Sequence, residues 1–279
     1  MLNPEQREQF QQDGYLVLPG FRTPAQMASL RQRAEQIVDD FDPAQSRAIF
    51  TTRDELPKTD HYFLNSDNTV RCFFEEEAFD ANGELRQAKA LSINKIGHAM
   101  HDLDPVFDAF SRGADLAALA LDLGLSDAQI WQSMYIFKQP GIGGEVRWHQ
   151  DATYFDSTPI SVTTFWFALE DATLDNGCLW VEPGGHRGPM RERFTRTGDQ
   201  IHMQVLDTTP WPDKQTAVPL EAKAGTLVCF HGLLPHYSAP NRSPVSRHAY
   251  TLHVTDGRTA YSPQNWIQRD ASFPVRGFT

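Results

Sequence analysis

What most constrains the fold of this chain is a change in the spacing of its apolar residues near Gly124. Before that point helical spacing dominates. Asn3 followed by Pro4 reads as an N-cap and first helical residue of a helix running to about Gln12, where Asp13-Gly14 stops it. Tyr15 to Leu18 is a short apolar strand. Thr23, Pro24 and Gln26 repeat the cap logic and open a second helix, with Met27, Leu30, Ala34, Ile37 and Phe41 at helical spacing. Val70 to Phe74 reads as a strand, and Asn82-Gly83 as a turn. Ser92 to Ala120 is helical in character, through Ile93, Ile96, Met100, Leu103, Val106, Phe107, Phe110, Leu116 and Leu119. Beyond Gly124 the period falls to two. Ile130 to Phe137 suits a strand buried on both faces, and further strands fall at 146–149, 162–169, 178–181, 225–231 and 247–254. Helices first and short strands afterwards imply an α+β chain whose helices buttress a double-sheet β architecture. The expected organisation is one domain over residues 1–279, with 1–125 a mainly helical buttress and lid loop and 126–279 the β core.

Residues 42–68 are polar and irregular, broken by Pro43, by Arg53-Asp54-Glu55 and by Pro57. Long loops inside compact domains are often lids or binding loops, which makes Tyr62, Phe63 and Arg71 candidates for substrate contact. A net charge of −11 and a pI near 5.3 argue against broad attraction to nucleic acid or to an anionic membrane, both of which need clustered Lys and Arg. Cys72, Cys178 and Cys229 lie far apart without a CxxC pair, so neither a disulfide framework nor a zinc ribbon is indicated. Residues 1–6 lack a basic segment leading into an apolar core, no run of about 18 apolar residues occurs, and the final Arg276-Gly277-Phe278-Thr279 spells no peroxisomal address. A cytoplasmic protein acting on small molecules is the expectation; oligomeric state is not readable.

Chemistry concentrates at His149-Gln150-Asp151. With period two, His149 and Asp151 project from one strand face while Gln150 points away. A second histidine would complete the facial triad of non-haem Fe(II) oxygenases, which leaves three metal positions open. With ten histidines in the chain, one His-x-Asp arises readily by chance, and a satisfied surface or core pair is the plain alternative. Downstream candidates for the second histidine are His186, His202, His231, His236, His248 and His253. His236 is followed by Ser238 on the same face, then by a turn-rich connection through Pro240, Asn241 and Pro244, then by Arg247. A hairpin there would set a ligand, a hydroxyl and a guanidinium on one side of the barrel. Such a guanidinium suits bidentate recognition of a carboxylate, which the distal end of 2-oxoglutarate supplies.

The triad, Ser238, and Arg247 eleven positions after His236 closely resemble the pattern of the phytanoyl-CoA dioxygenase family of Fe(II)- and 2-oxoglutarate-dependent oxygenases, and within it the subgroup of phytanoyl-CoA dioxygenase domain-containing proteins. The likeness extends through residues 11–18 (QQDGYLVL), 92–99 (SINKIGHA), 132–140 (QSMYIFKQP) and 170–180 (EDATLDNGCLW). The resemblance implies a double-stranded β-helix (jelly-roll, cupin-like) fold, with iron held by His149, Asp151 and His236. It places cosubstrate contacts at Lys95, Met134, Gln150, Trp166, Ser238 and Arg247. Read from the residues alone, Met134 and Trp166 suit the core of apolar strands, and Lys95 a solvated helix position.

By the same resemblance, 2-oxoglutarate and O2 become succinate and CO2 while a bound small molecule is hydroxylated. The carboxylate of Asp151 favours hydroxylation, since a small residue there would open a site for halide. Arg147-Trp148 and residues 191–216 depart from the family pattern, so Arg147 or Arg71 could pair with an anionic group of the primary substrate; a surface salt bridge is the more ordinary role. Two other classes fit the residues: a metal-dependent β-barrel hydrolase or isomerase using zinc or manganese, and a ligand-binding protein that retains the metal site. A compact polar substrate is expected.

Overall fold

The structure is a computed structural model that describes residues 1–52 and 61–279. The expectations for Arg53-Asp54-Glu55 and Pro57 lie outside the described residues. Helices are α1 (Pro4–Asp13), α2 (Pro24–Asp40), α3 (His61–Leu64), α4 (Met100–Leu103), α5 (Pro105–Ser111) and α6 (Ala114–Asp122). Strands in the first half are β1 (Tyr15–Leu18), β2 (Val70–Phe74), β3 (Ile93–His98), β4 (Ala128–Ile136) and β5 (Val146–His149). They continue as β6 (Ser157–Thr158), β7 (Thr163–Ala168), β8 (Leu179–Val181), β9 (Glu192–Thr197) and β10 (Gln200–Val205). The last are β11 (Val218–Leu220), β12 (Leu227–His231), β13 (His236–Ser238), β14 (Ala249–Asp256) and β15 (Ala260–Tyr261).

The first two helices begin as their sequences dictate. Asn3 accepts from Gln6 N at 2.8 Å while the Gln6 side chain accepts from Asn3 N at 3.0 Å, and Thr23 and Gln26 repeat this reciprocal cap. Gly14 ends α1 at φ 79°, a left-handed conformation that glycine adopts without penalty.

Seven strands form the large sheet in the order β1-β12-β7-β14-β4-β3-β2, and four form the small one, β11-β8-β13-β5. Alternation assigns each side chain of the large sheet to a layer. Cys229, Phe165, Phe167, Tyr250, Leu252 and Tyr135 face the helices and pack with Leu30, Phe107, Phe110, Leu116 and Leu119. On the other face Trp166, Ala168, Val228, Phe230 and Ala249 meet Leu179, Val181 and Leu220 of the small sheet. Full burial of side chains of this size contributes about 1.5–3 kcal/mol each, so this two-faced pattern specifies the sandwich. The result is the jelly-roll core with a helical buttress that the sequence implied. Among the described residues no helix is long and apolar enough to cross a membrane, and the three cysteines are buried free thiols.

Three elements depart from expectation. Residues 93–98 form a strand, although Ile93 and Ile96 recur at helical spacing. The pairing of β2 with β3 slips between Phe73 and Phe74, opposite Lys95 and Ile93, so one extra residue puts Ile93 and Ile96 on the same face. A β-bulge thereby imitates a helical period. Second, β13 and β14 form no hairpin: β13 pairs with β5 and β8 in the small sheet, whereas β14 lies between β7 and β4 in the large one. Third, β9 and β10 form an antiparallel hairpin around Gly198 (φ 62°) that the sequence reading did not assign. The alternation of Ile201, Met203 and Val205 after Gly198-Asp199 was the available signal.

The C-terminal segment closes the helical side, where Arg276 and Arg112 each reach Asp102 Oδ1 at 2.6 Å and the Asp102 side chain is 2% exposed. Burial alone would raise this carboxyl, but His101, Arg276 and Arg112 outweigh burial and hold it well below the usual carboxylate range. A depressed folded-state value means that the stabilisation is present above the ordinary carboxylate pKa of about 4 and is lost as pH falls below it. Asp102→Asn is expected to cost about 3 kcal/mol at pH 7. Urea melts at pH 7 and pH 3 should show that difference shrinking on acidification.

Candidate metal and cosubstrate site

The register of the small sheet places His236 directly opposite His149, and their ring centroids are 4.0 Å apart. Strand β5 ends at His149, so Asp151 does not share its strand as expected but opens a turn of 3-10 helix, Asp151–Thr153. Gln150 remains extended (φ −122°, ψ 134°), which preserves the alternation and turns Asp151 back toward His149. Asp151 Oδ1 is 3.7 Å from Nε2 of both His149 and His236, and the three ligating atoms lie within 4.8 Å of one another.

Hydrogen bonding fixes which nitrogen of each ring is available. His149 Nδ1 lies 2.8 Å from the Arg147 carbonyl and His236 Nδ1 lies 3.0 Å from the Leu234 carbonyl. Carbonyls only accept, so both Nδ1 atoms carry a proton, and both Nε2 atoms are the ones turned toward Asp151. Burial, and then the neighbouring His236, pulls His149 down to about 4. Burial would raise Asp151, but His236, His253, a hydrogen bond from His253 and His149 keep it low. Two imidazole Nε2 atoms aimed at one carboxylate oxygen are the donor set a divalent transition metal needs, and the site therefore fits iron by its geometry.

Behind the triad, Arg247 is 1% exposed and holds a fixed pose. Its Nε donates to Gly177 O at 3.1 Å and its Nη2 to Ser238 Oγ at 3.2 Å, while Ser238 Oγ donates to Gly177 O at 3.0 Å. Nη1 is buried with no partner among the described residues. Gly177 sits at φ 84°, and a Cβ there would lie 2.6 Å from Ala239 O and 2.8 Å from Lys138 Cε, so only glycine fits this double acceptor. Burial lowers Arg247 to about 10, which leaves it charged at neutral pH. The Trp166 ring lies 5.5 Å from its guanidinium carbon.

Lys95 is 3% exposed on β3 and is not a solvated helix residue. Its ammonium lies 3.7 Å from Met134 Sδ and 3.5 Å from the Phe50 ring centroid, without a carboxylate at salt-bridge distance among the described residues. Burial drives its pKa well down. Gln150 turns away from the triad: its Nε2 donates to Pro189 O at 3.0 Å and Leu233 O at 2.8 Å, and its Oε1 accepts from Arg191 N at 2.8 Å. That amide is saturated by backbone and ties two loops to the triad.

Of the substrate candidates, Phe63 stacks on Trp266 at 4.8 Å and its ring lies 5.3 Å from Lys95 Nζ. Arg71 packs over Tyr62 at 4.6 Å and donates to the Tyr62 carbonyl, so it braces α3 against β2. Trp148 occupies the outer face of the small sheet, stacked on Tyr237 at 5.3 Å, on the opposite side from His149 and His236. Arg147 bears on the site through its carbonyl, the acceptor for His149. A separate depression of about 360 Å³, lined by Arg7, Phe10, Asp122, His186 and His231, lies beside α1 and contains no triad residue. The sequence reading did not single out Thr164, Gly177 or Lys138, whose roles arise from contacts between distant segments.

Gln150→Ala should leave three backbone groups unsatisfied, at a cost of about 1–3 kcal/mol for each that stays buried. Its thermal melting point should fall and its Co(II) affinity weaken, while the affinity of the metal-loaded variant for 2-oxoglutarate stays near wild type. Isothermal titration separates these outcomes.

The model of the family described as Phytanoyl-CoA dioxygenase (PhyH) matches residues 10–249. The chain is 47% identical over 269 residues to phytanoyl-CoA dioxygenase 1 of Oryza sativa subsp. japonica, covering 96% of this chain and 94% of that one. It is 42% identical over 282 residues to phytanoyl-CoA dioxygenase domain-containing protein 1 of Bos taurus, covering 98% and 97%. Among solved structures it resembles the non-heme alpha ketoglutarate dependent carbocyclase SnoK from nogalamycin biosynthesis, with TM-score 0.68, 18% identity and coverage of 98% and 96%. It also resembles EctD from S. alaskensis with 2-oxoglutarate and 5-hydroxyectoine, with TM-score 0.63, 22% identity and coverage of 99% and 84%. These two likenesses bear on the fold; the family match and the relatives above 40% identity decide membership: the chain belongs to the phytanoyl-CoA dioxygenase (PhyH) family.

Proposed function

We propose that this protein is an Fe(II)- and 2-oxoglutarate-dependent dioxygenase that hydroxylates a compact small molecule while 2-oxoglutarate and O2 become succinate and CO2. The observation that carries the reading is the pairing of a metal-ready triad with a buried guanidinium that has one unpartnered nitrogen. His149, Asp151 and His236 would hold the iron, through two Nε2 atoms and one carboxylate oxygen. Iron in such a site supplies the redox chemistry that couples cosubstrate decarboxylation to oxidation of the substrate.

The chain's own residues bind, orient and exclude water. Arg247 offers Nη1 to an incoming carboxylate, with Nε and Nη2 already anchored to Gly177 and Ser238, so little side-chain entropy is lost on binding. Lys95 adds a buried amine on the inner face of the large sheet, whose charged form a dianionic cosubstrate would restore. Met134 lies against Lys95 and Trp166 near Arg247, and their apolar surfaces would keep water from the reacting groups. The relatives named as phytanoyl-CoA dioxygenases, and the EctD structure with bound 2-oxoglutarate, support the same cosubstrate.

A hydrolase or isomerase with zinc or manganese in the same ligands could hold its own substrate with Arg247, so the complex with cosubstrate separates the two readings. Anaerobic addition of 2-oxoglutarate to the Fe(II) protein should give a visible metal-to-ligand charge-transfer band, and its absence would overturn the reading. Arg247→Lys loses the fork geometry, which removes a charge-assisted hydrogen bond worth about 1.5–3 kcal/mol. Titration of the band should therefore show 2-oxoglutarate affinity about 10- to 100-fold weaker, with Fe(II) affinity unchanged.

A further inference from the structure

Asp151 is gripped from the far side by two residues that no expectation assigned to it. Thr164 on β7 and His253 on β14 are direct cross-strand partners on the inner face of the large sheet. The Thr164 hydroxyl donates to Asp151 Oδ2. His253 Nε2 lies 3.5 Å from Asp151 Oδ1, the oxygen that faces both triad imidazoles. His253 is 3% exposed, and its ring lies parallel to Phe155 at 4.7 Å and 12°. Its Nδ1 is enclosed and has no hydrogen-bond partner among the described residues. The carboxylate is the acceptor this ring can reach, so a ring proton belongs on Nε2. The compact cluster of ligating atoms includes His149, Asp151 and His236 but not His253.

We infer that His253, together with Thr164, is a positioning residue that holds Asp151 as a one-oxygen metal ligand. The Thr164 hydroxyl bonds one carboxylate oxygen and His253 Nε2 faces the other at 3.5 Å, so the large sheet restrains the group from both oxygens. Without His253 only Thr164 restrains the carboxylate, which can then turn to present both oxygens to a cation, taking a coordination position that a chelating cosubstrate needs. Partners of this kind orient metal ligands, and their loss commonly costs 10- to 100-fold in metal affinity or activity. The inference builds on the metal-site part of the proposed function, although its central measurement needs no 2-oxoglutarate.

His253→Phe keeps a ring against Phe155 and removes the donor, whereas His253→Gln keeps an N–H donor within reach. Anaerobic Co(II) titration of each full-length variant reads both affinity and, from the visible ligand-field spectrum, coordination number. The expected result is roughly 10- to 100-fold weaker Co(II) binding by His253→Phe, with a spectrum displaced from wild type, and recovery of the wild-type spectrum by His253→Gln. Thr164→Val should displace the spectrum in the same direction, and it carries the test if His253→Phe fails to fold. Wild-type Co(II) affinity and spectrum in His253→Phe would overturn the inference, as would a His253→Gln protein as defective as the phenylalanine variant. If wild type binds Co(II) but its Fe(II) form shows no band with 2-oxoglutarate, the dioxygenase reading fails while the His253 assignment stands.

Discussion

The antiparallel ladder that sets His236 against His149 is the contact on which the site depends, because it brings together two residues 87 positions apart. Strand pairing alone would leave the ring nitrogens undirected. The carbonyls of Arg147 and Leu234, each two residues before its histidine, supply the direction by taking the Nδ1 protons. Each histidine is thus aimed by its own strand, and the ladder only has to bring the strands into register. Asp151 is governed differently: it leaves the strand, Thr164 on the facing sheet donates to its carboxylate, and His253 Nε2 faces it at 3.5 Å. The small sheet furnishes the imidazoles and the large sheet orients the acid.

Buried basic side chains are expensive to charge, and among the described residues Lys95, Lys138 and Arg247 are each at most 3% exposed. Lys138 is partly satisfied by Gly144 O at 2.6 Å and Ser238 O at 3.4 Å, and it lies in the field of Glu75. Arg247 keeps an unused nitrogen, and Lys95 has little beyond sulfur and aromatic rings. Packing has no need of such an arrangement. A dianionic ligand would offset that cost, which gives these buried basic groups their functional weight.

Much was legible because local rules governed it. The capping boxes at Asn3 and Thr23, strands β1 and β2 and most inner strands follow from hydrogen-bonding needs and from alternation. The bulge in β3 defeated the periodicity argument, since an inserted residue shifts side-chain parity and converts a strand into an apparent helix at Ile93 and Ile96. The supposed hairpin from His236 to Arg247 failed for another reason. A turn-rich connection reports that the chain changes direction, not which sheet it enters afterwards. Arg247 nevertheless meets Ser238, because the two sheets face each other at that point.

By itself the sequence determined the ligand types, the His-x-Asp alternation, the guanidinium that suits a carboxylate, and the family pattern that joins them. These are properties of residue chemistry and short-range spacing, which the linear chain carries intact. Only the tertiary structure decided that Gln150 spends its amide on backbone groups, that Trp148 lies on the outer face of its sheet, and that Thr164 and His253 grip the metal-binding acid. Each of these depends on which segment lies opposite which. Strand order and register arise from burying two apolar faces at once, a cooperative property of the whole sandwich that no local window of sequence contains.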